Sequence, residues 1–430
     1  MVSREERMKG FYDEKHETMP RKEQKEFQEK LIREFCEYAY NNTKYYHDKF
    51  DVAGIKPIDI KTLEDFHNVP LTQKSELVEI QKNNPPFGGL LAIPLNDINV
   101  VFRSPGPLLE GFSIKAATSI GNSLCKALYS NGFRKGDIVN VTFSFAGVPA
   151  GLGFTQGVNL LGAISIPMGT GKTDIQIELM KQLNVTGFIG TPSFLGKLGK
   201  KATKKGVKTR EELSIDVGCF TAEPLPESLR KNLEDTFDMM ARQVYGIADL
   251  GIIGRECGLA QGMHLEESMV TEIVDPNTKE TLPPGERGEV IVTVPYRRAI
   301  PFIRFCTGDA SRVMDEAICG CGRTSPKLER WLGRVNQIIK VKGQFLHPKQ
   351  VKNVLKKHGL KKFQVVVTRP DNISDVFVIK VEYEGDPSSL PIDDINKELA
   401  DAIILKPNIE FVKPGEIKGK EEIVDLRKFD

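Results

Sequence analysis

Apolar and polar positions change rhythm several times along this chain. Between residues 21 and 45, Phe27, Leu31, Phe35 and Tyr38 recur at the spacing of one face of an α-helix. "KTLEDFHNVPLTQKSELVEI" keeps that rhythm in two short helices broken at Pro70, whose ring cannot continue a helix. From about residue 113 the pattern alternates: a helix "KAATSIGNSLCKALYSNG" ended by Gly132, a strand "DIVNVTFSF", a helix starting within "AGVPAGLGFTQGVNLLG", and a strand "AISIPMG". A helix "DIQIELMKQLN", a strand "TGFIGTP", another helix and the strand "VGCFTA" follow. Such alternation predicts a mostly parallel sheet with helices on its faces. From about 270 "MVTEIVDP", "GERGEVIVTV" and "ASRVMD" read as antiparallel strands. Beyond "LGRVNQIIKVKG", the strands "FQVVVTRP" and "VFVIKVEYEG", the helix "DDINKELADAII" and "IEFVKPGEI" predict a small α+β domain. The expected fold class is α/β: a large N-terminal α/β domain with a β-rich subdomain, residues 1–335, and a small C-terminal α+β domain, residues 336–430.

Charge removes partners rather than naming one. Sixty basic and 58 acidic side chains leave a net charge of +2, without a like-charged block long enough to track nucleic acid. The N-terminal stretch is charged and no run of about 18 apolar residues occurs, so the expectation is a soluble, cytoplasmic protein with neither nucleic acid nor membrane as partner. Oligomeric state is open, a homodimer included. Seven scattered cysteines do not make a disulfide framework and are expected reduced or metal-bound. Among them Cys257, Cys319 and Cys321, with His264, supply four soft or borderline ligands, the number and type of a closed tetrahedral zinc site. The alternative is free turn cysteines beside a surface histidine.

"VVFRSPGPLLEGFSI", residues 100–114, reads as a strand entering a turn that Ser104, Pro105, Gly106 and Pro107 force. It has the outline of a phosphate-gripping loop without a lysine.

Taken in order, "LTQKSELVE", "TPSFL", "TAEPLPESLR", "YGIADLG", "GRECGLAQGMHLEES", "PPGERGEVIVTV", "IPFIRFCTGDASRV", "CGCGRTSPKLERWLGRVNQIIKVKGQFLHPKQV" and "KGKEEIVDLRK" resemble the phenylacetate–CoA ligase branch of the adenylate-forming enzymes, over essentially residues 18–430. The resemblance implies activation of a carboxylic acid by ATP and Mg2+ to an acyl-adenylate, followed by exchange of AMP for the thiol of coenzyme A. It implies that Ala222, Glu223 and Pro224 line the adenine site, with Tyr245 and Gly246 beside them; taken without the neighbouring motif, Tyr245 reads as a core aromatic, and the motif reverses that reading. It implies that Asp309, in a "TGD" turn exposing its carboxylate, accepts from the ribose hydroxyls, near Arg334. Lys420 is implied to reach the α-phosphate and carboxylate oxygens, neutralising charge as the adenylate forms. Gly343 is implied to let the CoA arm pass close to backbone, and the small domain to swing about a hinge at Asn336 and Gln337. The acid is expected among Phe143, Phe145, Phe154 and Gly169, whose aromatic walls suit an aryl or medium acyl acid. Some members of the branch carry cysteines and histidine at the positions of the proposed zinc ligands.

Two departures concern the pyrophosphate half of the site. In the loop Ser104 and Gly106 are kept, but two prolines remove backbone donors and Glu110 brings negative charge where polyphosphate is expected, with Arg103 as a compensating cation. In "YGIADLG", Ala248 stands where the family has a hydroxyl, and Asp249 where it has a glutamate that holds magnesium. Three readings follow: an AMP-forming acid–CoA ligase; an adenylyltransferase acting on a deazaflavin cofactor; and a catalytically silent nucleotide- or acyl-CoA-binding protein.

Overall fold

The computed structural model describes residues 2–276, 278–314, 318–335, 339–342, 344–346, 348–370, 374–419 and 422–427. Helix Arg21–Asn42 forms where the spacing predicts one; of the four spaced residues Phe35 is buried and Phe27, Leu31 and Tyr38 are half-buried, while Ile32, Cys36 and Ala39 complete the buried face. Helices Leu63–Phe66 and Lys74–Asn83 flank the break at Pro70. A short antiparallel hairpin follows, β1 (Val100–Arg103) with β2 (Leu109–Phe112). The alternating region then builds β3 (Ile138–Val141), β4 (Ile164–Pro167), β5 (Gly187–Gly190), β6 (Val217–Phe220) and β7 (Met240–Ile247), all parallel. β8 (Gly251–Arg255) and β9 (Met263–Leu265) extend the same sheet antiparallel. Separate from it, β10 (Val270–Val274), β11 (Gly288–Thr293) and β12 (Phe305–Ser311) form an antiparallel trio, and β13 (Lys327–Leu328) returns to pair with β9.

The large sheet runs in the order β13-β9-β8-β7-β6-β5-β3-β4. Alternate strand residues feed opposite faces: Ile189 joins the cluster under helices Ile114–Asn131 and Pro149–Leu160, whereas Phe188 joins the cluster under Pro192–Lys204 and Glu227–Phe237. The central strands β5 and β6 are wholly buried, which explains their unbroken apolar runs, whereas β4 at the sheet edge is partly exposed.

One expectation is corrected. The third strand of the antiparallel trio is Phe305–Ser311 and not "ASRVMD", of which Val313 makes only an isolated bridge to Leu328. Pairing of β12 with β11 slips between Glu289 and Ile291, so that Ala310 and Cys306 face residues only two apart. "TGD" is therefore a bulge inside a strand, with Gly308 at φ +72°, and not a free turn.

The C-terminal segment packs a core of its own. β14 (Ile339–Val341) pairs with β15 (Gln344–Leu346), and β16 (Phe363–Thr368), β17 (Val376–Glu382), β18 (Ile409–Val412) and β19 (Ile423–Asp425) form a sheet in the order β18-β17-β16-β19. Val351, Leu355, Val365, Ile379 and Leu399 are among the residues buried between that sheet and helices Pro348–Lys357 and Ile392–Ile403.

Candidate functional site

A cleft of about 1430 Å³ opens beyond the C-terminal ends of the parallel strands, where open α/β sheets bind ligands. Residues just past β3 (Thr142, Phe143), β5 (Thr191, Ser193) and β6 (Thr221–Pro224) line it, together with the end of β7 and the bulge of β12. Lys342, Gln350 and Asn353 of the C-terminal segment also reach it.

The expected adenosine residues converge here. Ala222, at φ +70°, turns the chain after β6, and Gln243 Nε2 holds the next carbonyl, Glu223 O, at 3.2 Å. Gly246 must lack a side chain, because a Cβ would sit 2.7 Å from Gly251 O on the neighbouring strand. Asp309 is only 6% exposed, so its carboxylate is not offered on an open turn. Tyr245 OH donates to its Oδ2 at 3.0 Å, Trp331 Nε1 donates to its Oδ1 at 2.9 Å, and Arg334 Nε lies 3.0 Å from Oδ1. Arg334 Nη1 also donates to Thr307 O at 2.7 Å. A carboxylate has about four acceptor positions, so three donors leave Asp309 room for a ligand hydroxyl between two aromatic side chains. Burial first, and the Asp309 charge second, push the Tyr245 phenol well above its ordinary pKa, which keeps it a neutral donor.

The phosphate end differs from the sequence expectation. Glu110 does not oppose the phosphates: it is fully buried on β2, and Arg297 Nη2 donates to its Oε2 at 2.8 Å. Arg297 in turn lies 4.0 Å over the Phe112 ring. Burial, reinforced by Asp249 and opposed by Arg297, raises the Glu110 carboxyl to about 8. The alternation of the strand dictates this, because Leu108 and Glu110 both point inward. Arg103 is exposed, away from the residues lining the cleft, whereas Pro105 and Gly106 line it. Ser104 is buried behind them and receives a hydrogen bond from Lys74 Nζ at 2.9 Å. The same ammonium donates to Pro105 O and to Asp249 Oδ2, both at 2.7 Å. Asp249 Oδ1 is buried with no hydrogen-bond partner among the described residues, so a hard oxygen ligand remains for a divalent ion. Ala248 lines the cleft without a hydroxyl.

Deeper in, Phe143 and Phe154 stack at 5.4 Å and Phe102 meets Phe112 edge-on at 5.3 Å, with Ile120 and Leu124 completing an apolar wall. Phe145 and Gly169 are not part of that wall. They pack on one another outside it, where a Cβ on Gly169 would touch the Phe145 ring at 3.5 Å.

Away from the cleft, Cys257, His264, Cys319 and Cys321 place their ligand atoms within 4.8 Å of one another. Bonds of about 2.3 Å to sulfur and about 2.0 Å to nitrogen at tetrahedral angles require S···S near ~3.8 Å and S···N near ~3.5 Å. The observed Cys257–Cys319 separation is 3.9 Å and Cys321 Sγ lies 3.5 Å from His264 Nε2. His264 Nδ1 is 3.3 Å from Ser325 O, the outer contact that orients a metal-binding imidazole. Burial opposes charge on His264, but the neighbouring thiols outweigh it and raise its pKa, while Cys321 is held low by Cys257 and His264.

The family model described as AMP-binding enzyme matches residues 121–296. The phenylacetate–CoA ligase of Thermus thermophilus is 29% identical over 382 residues, covering 86% of this chain and 84% of that one. The enzyme of the same name from Pseudomonas putida is 26% identical over 407 residues, 91% of this chain and 90% of the other. Over most of its length the chain is thus similar to phenylacetate–CoA ligases, and its middle part matches the AMP-binding enzyme model. In fold it is similar to a 2-hydroxyisobutyryl-CoA ligase bound to 2-HIB-AMP and CoA in the thioesterification state: TM-score 0.88, 24% identity, 96% of this chain and 92% of that chain. Against the postadenylation state of that protein the TM-score is 0.73.

Of the family's expected residues, Lys420, Gly343, Asn336 and Gln337 lie outside the described residues. Gly419, immediately before Lys420, is described and adopts φ +91°. Sequence reasoning missed Lys74, Trp331 and Arg297. Trp331 carried a signal, being the chain's single tryptophan and standing shortly before Arg334. Lys74 lies within the motif "LTQKSELVE", but only the fold brings it to a loop thirty residues away.

Proposed function

We propose that the protein is an AMP-forming acid–CoA ligase that activates an aryl, phenylacetate-like acid. The observation that carries the reading is one cleft holding a caged carboxylate, Asp309, a half-satisfied carboxylate, Asp249, and an aromatic pocket around Phe143 and Phe154. Asp309, with Tyr245 and Trp331, would fix the ribose and adenine, so that binding far from the reacting atoms aligns the α-phosphorus. Asp249 would hold Mg2+, whose charge offsets that of the phosphates when bound. The acid's carboxylate oxygen attacks the α-phosphorus and pyrophosphate leaves; the CoA thiol then attacks the acyl carbon and AMP leaves. Lys420 is assigned the charge-neutralising role in the first step, and Gly343 the passage of the CoA arm. The parts 1–335 and 336–430 would change their mutual angle between the two steps.

Zinc is assigned to Cys257, His264, Cys319 and Cys321 as a closed structural site: four protein ligands leave no position for substrate. It would tie the segment ahead of Trp331 and Arg334 to β9. Among the described residues no helix is long and apolar enough to cross a membrane.

Acid-dependent pyrophosphate exchange, measured with aryl and short hydroxy acids, with and without CoA, and with deazaflavin, tests the reading. Exchange with arylacetic acids and thioester formation with CoA support it. Exchange with a short hydroxy acid alone replaces the acid, and exchange with deazaflavin alone replaces the reaction.

A further inference from the structure

The loop that lacks a lysine has one beside it in space. Thr72 bridges to the start of β12, its N–H donating to Arg304 O at 2.8 Å while Cys306 N–H donates to Thr72 O at 2.9 Å. Arg304 is itself pinned by Glu272 at 2.8 Å and donates to Val69 O at 2.6 Å. These bonds hold "LTQK" against the cleft and set Lys74 at the first position of helix Lys74–Asn83. A cation there opposes the helix dipole, so local helix stability does not explain the residue. Its ammonium bridges the hairpin tip and Asp249, and a Cβ at Gly106 would lie 3.9 Å from Nζ. Lys74 lines the cleft, and its side chain keeps 26% exposure.

We propose that Lys74 is the cation that holds the terminal phosphates of ATP in this protein, delivered from outside the hairpin; the assignment builds on the ligase reading. Three features support it. Glu110, the group that would have repelled phosphate, is fully buried against Arg297 and does not line the cleft. Asp249 divides its oxygens, one to Lys74 and one without a partner, so that ammonium and divalent ion can share a carboxylate. The ammonium's acceptors are a hydroxyl, a carbonyl and a carboxylate at the mouth of the loop, and phosphate oxygens are acceptors of the same kind.

Calorimetry on the full chain with Mg–ATP and with AMP tests this, using Lys74→Gln, Lys74→Arg and, as control, Lys82→Gln on the exposed side of the same helix. The expected result is about a 10- to 100-fold loss of Mg–ATP affinity in Lys74→Gln, with AMP changed less than about twofold. Lys74→Arg should recover most of the loss, and thioester formation from supplied acyl-adenylate and CoA should be unchanged, because that step involves no pyrophosphate. Equal losses for ATP and AMP, or no loss for ATP, overturn the assignment. So does a wild-type protein that binds AMP but not Mg–ATP. Wild type that binds Mg–ATP yet exchanges no pyrophosphate removes the ligase reading while leaving Lys74 to be judged by the binding ratio.

Discussion

Placing a lysine at position 110 is the substitution that sequence comparison invites, since it would restore the cation that the loop lacks. Glu110→Lys should instead destabilise the protein. The side chain is fully buried and 2.8 Å from Arg297, and the strand turns it away from the cleft. Burial keeps the Glu110 carboxyl largely protonated at neutral pH, so removing it takes a buried hydrogen-bond acceptor from Arg297, at about 1–3 kcal/mol. A second cation about 4 Å from Arg297 adds repulsion of roughly 4 kcal/mol at an effective dielectric near 20. Together these approach the whole stability of an ordinary domain, which is about 5–15 kcal/mol. Urea denaturation followed by circular dichroism, with Glu110→Gln as the mild comparison, should show the lysine variant largely unfolded or strongly weakened. A folded Glu110→Lys protein with unchanged midpoint and tighter ATP binding would refute the geometry of the hairpin and restore the view that position 110 faces the phosphates.

Glu110 also gives a pH signature. Its folded pKa, raised from 4.5 to about 8, means the native state binds the proton more tightly, so its contribution is present below the unfolded pKa and is lost as pH rises towards 8. The full shift corresponds to about 4–5 kcal/mol, and the wild-type midpoint should fall between pH 5.5 and 8.5 more than that of Glu110→Gln; equal falls would contradict the burial argument. Asp309→Asn should weaken AMP binding by about 10- to 100-fold, consistent with loss of charge-assisted bonds, and an unchanged dissociation constant would exclude Asp309 from the nucleotide site. Protein purified without a histidine tag should carry about one zinc per chain, lost in Cys321→Ser together with several degrees of thermal stability; metal-free wild type of full stability would sink the site. Phe143→Ala should raise KM for an aryl acid about tenfold and leave that for a short hydroxy acid nearly unchanged, whereas equal effects would place the aryl group elsewhere.

Much of this fold was legible because its signals are local. Helical spacing around Phe35 and the alternation after residue 113 report which face is buried, and burial follows. The third antiparallel strand was misplaced because a bulge with a glycine at positive φ resembles a turn in one dimension. Glu110 was misread for a related reason: the residue type indicated charge, but strand alternation decides which side receives it, and the partner, Arg297, is remote in sequence. Lys74 and Trp331 reach Asp249 and Asp309 only through long-range pairing of Thr72 with β12 and of Arg334 with Asp309. The four ligand-type residues near His264 were legible by kind, whereas their convergence depended on β9 pairing with β13.

The central claim is that a carboxylic acid is activated through its adenylate in this cleft. Turnover of an aryl acid labelled with oxygen-18 in its carboxylate, in the presence of ATP, Mg2+ and CoA, tests it most directly. Attack of the carboxylate on the α-phosphorus, followed by thiol displacement, leaves one labelled oxygen in AMP, and mass spectrometry should find it there, with the product lost in Lys420→Ala. Label in inorganic phosphate, unlabelled AMP, or no AMP with any acid tested would contradict the account.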